Sequence, residues 1–126
     1  MRDTRLILHN IRSVHNVGSI FRTADAAGIS RIYLTGYTPT PVDRFGRART
    51  DFAKVSLGAE KTVSWEKQED VTHLIPSLKK EKFFIVAVEQ SSRAIDYKKI
   101  NLPAKAAVIL GNETEGISKN VLDLAD

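Results

Sequence analysis

Apolar residues follow one another along this chain in two rhythms. Unbroken runs occur at Leu6-Ile7-Leu8, at Phe83-Phe84-Ile85-Val86-Ala87-Val88 and at Ala106-Ala107-Val108-Ile109-Leu110. Runs of that length suit strands covered on both faces, so strands are predicted over 5–10, 83–88 and 106–110. Between them, apolar positions recur at steps of three and four. Val14, Val17, Phe21, Ala24 and Gly28 mark one face of a helix, with Asn16 as its expected N-cap and Gly28, followed by Ile29, as its left-handed ending. Residues 31–34, Arg-Ile-Tyr-Leu, return to strand. Strand, helix and strand in this order predict a βαβ unit with a right-handed crossover. Farther on, the pattern gives a short helix over 51–58, a short strand over 62–65 and an amphipathic helix over 69–81. That helix shows Val71, Leu74, Ile75 and Leu78 on one side and Lys79 and Lys80 near its end, while Pro76 predicts a kink or a late start. Ser118 is placed to cap a last helix, with Ile117 and Leu122 as a hydrophobic staple. Strands alternating with helices indicate an α/β domain with a mostly parallel sheet flanked by helices.

Composition narrows the possibilities. With 126 residues and 42% hydrophobic content, the chain reads as one domain spanning 1–126 with mass enough for a core. The absence of cysteine excludes disulfides, thiolate metal sites and a cysteine nucleophile. His9, His15 and His73 have no metal-ligand spacing, so no metal is expected, and no Gly-x-Ser-x-Gly elbow is present. The first residues lead into too few apolar positions for a signal peptide or membrane span, which gives a cytoplasmic expectation. A net charge of +4 agrees with a polyanionic partner without requiring one.

Candidate chemistry lies in two polar clusters, each following a strand. The first is Asn10-Ile11-Arg12-Ser13-Val14-His15-Asn16-Val17-Gly18-Ser19-Ile20-Phe21-Arg22-Thr23-Ala24-Asp25, and the second Gly111-Asn112-Glu113-Thr114-Glu115-Gly116. A strand emptying into a polar, Gly-containing loop is the geometry of a ligand site in an open α/β sheet. The second cluster is neither a P-loop nor a dinucleotide fingerprint, and its two carboxylates repel a pyrophosphate while suiting hydroxyls or a cationic ligand. Asn16 and Arg22 are six residues apart, about 120° on a regular helix, and meet at one ligand only if Asn16 stands before the helix proper. Read singly, Asn16 is equally a plain cap and Arg22 a surface arginine paired with Asp25. The unpatterned stretch 35–51 carries Arg44, Arg47 and Arg49 beside Phe45. Cations interleaved with an aromatic suit phosphate contact and base stacking; the alternative is a solvated loop neutralised by Asp43 and Asp51.

Taken together, the clusters resemble a known family. Asn10-x-Arg12-Ser13-x-x-Asn16-x-Gly18-x-x-x-Arg22-Thr23-Ala24-Asp25 is similar to the first motif of the SpoU/TrmH-like branch of the SPOUT superfamily, and Leu110-Gly111-Asn112-Glu113-x-x-Gly116-Ile117 to its second. The resemblance implies a SPOUT-like fold and methyl transfer from S-adenosylmethionine to a ribose 2′-hydroxyl of tRNA or rRNA, in a homodimer with a C-terminal trefoil knot. It further implies catalytic roles for Asn16, Arg22 and Glu113, and cofactor contacts from Val88, Glu89 and Gly111. RNA contacts are expected from Arg12, Arg44, Arg47 and Arg49, the last three on charge alone. Because a guanidinium stays protonated, Arg22 suits gripping a phosphate and orienting the hydroxyl better than removing its proton, with Glu113 holding it in place. The family's third motif has no counterpart after Asp126, so a C-terminally truncated domain with an incomplete knot is expected. A non-catalytic RNA-binding remnant and an unrelated nucleotide-binding α/β domain are the alternatives.

Overall fold

The computed structural model describes residues 2–88, 103–111, 117 and 119–126. Five strands, β1 (Asp3–His9), β2 (Arg31–Thr35), β3 (Ser64–Gln68), β4 (Phe84–Val88) and β5 (Lys105–Leu110), form one sheet in the order β3-β2-β1-β5-β4. All four pairings are parallel. β1 is thus central, pairing Leu6 with Ile32 on one side and with Val108 on the other.

Each unbroken apolar run contains a strand; those of β1 and β5 are largely buried, whereas β4, at the sheet edge, leaves Phe84 exposed. Leu8, Ile32 and Leu34 pack with Val17, Phe21 and Ala24 of α1 (Val14–Ala27), and with Phe52 and Ala59 of α2 (Thr50–Ser56) and α3 (Ala59–Thr62). Phe21 meets Phe52 edge to face, with centroids 5.1 Å apart. On the opposite face Ile7, Tyr33, Ile85, Ala107 and Ile109 pack with Val71, Leu74, Ile75 and Leu78 of α4 (Val71–Lys80) and Val121 of α5 (Lys119–Leu122). Ile117 and Leu122 join this second cluster; Ser118, their expected cap, lies outside the described residues.

Five local expectations change. α1 starts at Val14, and its N-cap is Ser13, whose Oγ accepts the Asn16 N–H at 3.1 Å; Asn16 is inside the first turn. Starting there puts Val14 in the helix together with Val17 and Phe21, and the apolar face demands it. At the other end Gly28 is left-handed, and the Ile29 N–H closes on Ala24 O at 3.0 Å, as expected. The short helix ends at Ser56 because Leu57 and Gly58 are both left-handed. The separate turn α3 then displaces the next strand to Ser64–Gln68. α4 starts at Val71, with Asp70 Oδ1 accepting the Thr72 N–H at 2.9 Å, and runs through Pro76. Residues 41–49, expected without regular structure, fold back on themselves through the Val42–Ala48 bridge.

Candidate active site

Parallel strands put every carboxyl end at one edge of the sheet. Strand order reverses about β1 and β5, and the register aligns Leu8 with Leu110 and Leu110 with Val88. Asn10, Gly111 and Val88 therefore leave three neighbouring strands at the topological switch point, where open α/β sheets bind ligands. The expectation of one shared edge for the two polar clusters is met as far as Gly111. Asn112, Glu113 and Glu89 lie outside the described residues.

The first cluster is built on a lattice that sequence reading missed. Asn10 is left-handed (φ 55°), and its side-chain Oδ1 accepts the Tyr37 N–H at 3.1 Å. Gly36 faces it with φ 62°, and a Cβ there would stand 1.8 Å from that oxygen. Buried Thr38 donates its hydroxyl to Leu8 O at 2.8 Å and accepts the Ile11 N–H at 3.1 Å. Lys67 Nζ bonds the carbonyls of Gly36 and Thr38. The loop after β2 thereby fixes how the chain leaves β1 toward Arg12 and α1. The signal for it was Thr35-Gly36-Tyr37-Thr38, a turn composition with hydroxyls at both ends.

Beyond this lattice, α1 carries the catalytic candidates. Asn16 and Arg22 are both exposed on one regular helix that begins before Asn16. The condition for them to meet on one face is not fulfilled. Their Cα positions differ by about 120° around the axis and about 9 Å along it. Helical side chains tilt toward the N-terminus, so an arginine two turns down is directed back toward the strand ends. Arg22 has no ion-pair or hydrogen-bond partner among the described residues, and the surface pairing with Asp25 is not formed. Gly18 is the close-packing residue of the motif, since a Cβ there would lie 3.2 Å from Val55 Cβ and 3.3 Å from Phe52 O.

The expected cofactor contacts, Val88 and Gly111, are buried, and between them stands half-buried Leu110. Among the described residues this edge is neutral and largely apolar, which suits an uncharged ring system better than a phosphate. Nearby His9 is half-buried, and burial holds its imidazole pKa below the usual 6.5. Its Nδ1 lies 2.9 Å from Thr35 Oγ1, whose own hydrogen goes to Leu8 O. No group of three or more His, Cys, Asp or Glu among the described residues is placed to hold a metal ion.

The four arginines expected at RNA separate into three kinds. Arg12 is exposed, with its guanidinium 5.6 Å over the Tyr37 ring. Arg44 and Arg47 are exposed at the tip of the 41–49 turn, over the Phe45 ring at 4.9 and 5.0 Å. Arg49 is half-buried at the start of α2, and its Nε is buried with no hydrogen-bond partner among the described residues.

Residues 3–126 match the family model of the SpoU rRNA Methylase family. The chain belongs to this family. A Staphylococcus aureus protein named for the TrmH family of tRNA/rRNA methyltransferases is 32% identical over 124 residues, which is 98% of this chain and 47% of that protein. The chain thus spans about half the length of the curated relatives it matches. Among solved structures, the AdoMet-bound rRNA methyltransferase of Sinorhizobium meliloti superposes with a TM-score of 0.79 at 25% identity, over 98% of this chain and 44% of that one. The A. aeolicus TrmH/SpoU tRNA modifying enzyme superposes with a TM-score of 0.77 at 23% identity, over 100% of this chain and 60% of that one. In the SpoU family chain, the parallel sheet and flanking helices follow the SPOUT methyltransferase fold. No helix of this family member is long and apolar enough, among the described residues, to cross a membrane.

Proposed function

We propose that this chain provides the catalytic sheet of an S-adenosylmethionine-dependent RNA methyltransferase, one that methylates a ribose 2′-hydroxyl of tRNA or rRNA. The observation that carries the reading is the placement of Asn10, Gly111 and Val88 at adjacent strand ends in a chain of the SpoU family. When bound, S-adenosylmethionine would supply an electrophilic methyl to the ribose oxygen, the S–CH3 bond breaking to leave the neutral thioether S-adenosylhomocysteine and the hydroxyl proton passing to water. Val88, Glu89 and Gly111 would hold the cofactor. Asn16 donates or accepts hydrogen bonds at the incoming ribose from the first turn of α1. Arg22 remains a cation throughout, grips the phosphate beside the target ribose and orients its hydroxyl. Glu113 holds Arg22. Because Asn16 and Arg22 stand about 9 Å apart along one helix, one ribose and its adjacent phosphate span the two better than a single atom does. A homodimer of the full-length protein, each copy with its own C-terminal trefoil knot, acting in the cytoplasm, completes the reading.

The test is transfer of labelled methyl to total tRNA and to rRNA by the protein in its full length, followed by nucleoside analysis for 2′-O-methylribose. Arg22→Ala is expected to lower kcat/KM roughly 100-fold with folding intact. Label found on a base instead of a ribose overturns the ribose assignment. RNA bound without cofactor binding in calorimetry would favour the non-catalytic reading.

A further inference from the structure

We propose that the 41–49 turn is a preorganised stacking platform for an unpaired nucleobase, with Phe45 as its central ring. The proposal deepens the function above and rests only on the part of it that names RNA as the substrate.

This turn is ordered by its own chemistry. Asp43 Oδ1 accepts the N–H of Phe45 at 2.8 Å and of Arg47 at 3.0 Å. Its backbone N–H donates to Arg47 O at 2.8 Å, and its carbonyl accepts the Gly46 N–H at 3.0 Å. Below it, the Arg49 N–H donates to Pro41 O at 2.9 Å and closes the neck. A loop fixed this way has already lost the backbone freedom that a disordered loop loses on binding.

What the turn displays is an aromatic ring that serves no core. Phe45 is 66% exposed, the highest exposure of any large aromatic among the described residues. Both guanidiniums lie within 5.0 Å of the ring centroid, while Arg47 Nε also reaches Asp43 Oδ2 at 3.5 Å. The result is an aromatic plane joined to two delocalised cations, with one carboxylate directed into the turn. Every nucleobase has a π-face that stacks on such a plane, and the cations take the flanking phosphates. A duplex keeps its bases stacked on one another and offers the platform only phosphates, so the occupant is single-stranded. The segment that carries the turn leaves the carboxyl end of β2, the end of the sheet from which Asn10 and Gly111 also emerge.

Fluorescence anisotropy with the 126-residue chain tests this, using a labelled single-stranded oligoribonucleotide of roughly ten nucleotides, its duplex and an abasic strand of equal length. Phe45→Ala and Phe45→Leu are expected to weaken single-strand binding by about fivefold or more, with the duplex and abasic strands unaffected and Phe45→Trp retaining affinity. Replacing Arg44 and Arg47 together by Ala is expected to reduce the salt slope by about 1.4, whereas Phe45→Ala leaves it unchanged. The proposal is overturned if Phe45→Leu binds the single strand as tightly as the native chain, or if abasic and normal strands lose affinity equally. Labelled-methyl transfer by the native protein separates this from the enzymatic reading. Binding that depends on Phe45 without any transfer sustains the platform and removes the enzyme; transfer and binding indifferent to Phe45 do the reverse.

Discussion

At the scale of single residues, the candidate site depends on a pair that no periodicity marks. Gly36 and Asn10 are both left-handed and stand so close that a methyl group at position 36 would overlap the Asn10 carboxamide. Gly36→Ala is expected to lose more than about 1 kcal/mol in urea unfolding, from backbone strain and from expulsion of the oxygen that holds the Tyr37 N–H. His9 supplies a second residue-level prediction. Burial holds its pKa below 6.5, so the unfolded chain binds the proton more readily. Its contribution to stability is complete above the unfolded value and is lost as pH falls through the folded one. Unfolding midpoints measured from neutral pH down to about 5 should fall, and His9→Gln should remove part of that decline.

Secondary-structure elements show where pattern speaks and where it does not. α1 was legible because Val14, Val17, Phe21 and Ala24 must share the face turned to the sheet, and the same demand places its cap at Ser13. Ser13→Ala is expected to cost about 1 kcal/mol, and Asn16→Ala less than half of that, when both are compared by thermal unfolding. β1, β4 and β5 were legible because their apolar runs are unbroken, whereas β3, a polar edge strand with no buried residue, was placed two residues early. By contrast, the break between α2 and α3 depends on left-handed Leu57, a conformation its side chain does not advertise. The 41–49 turn depends on one aspartate side chain bonding two amides, chemistry that has no period. Of the site, the motif positions were readable, whereas the hydroxyls and lysine that aim the first loop, Thr38 and Lys67, come from segments far from it in sequence.

Over the whole molecule, the parallel sheet gathers distant segments at one edge, and the order in which it does so has a cost in time. β1 meets β2 after a short excursion, Arg5 pairing with Arg31, yet its other neighbour is β5, Thr4 pairing with Ala106. Sequence separation of this size slows folding, because the loop must close before any of its contacts forms. On the ribosome, β1, α1 and β2 are available long before β5 emerges, and through that interval one edge of the central strand has its N–H and C=O groups without a partner strand. The arrangement that brings Asn10 beside Gly111 in the finished protein therefore makes the nascent chain pass through a state with an open, apolar strand at its centre. Its vulnerability to aggregation is concentrated in synthesis, before the switch point exists.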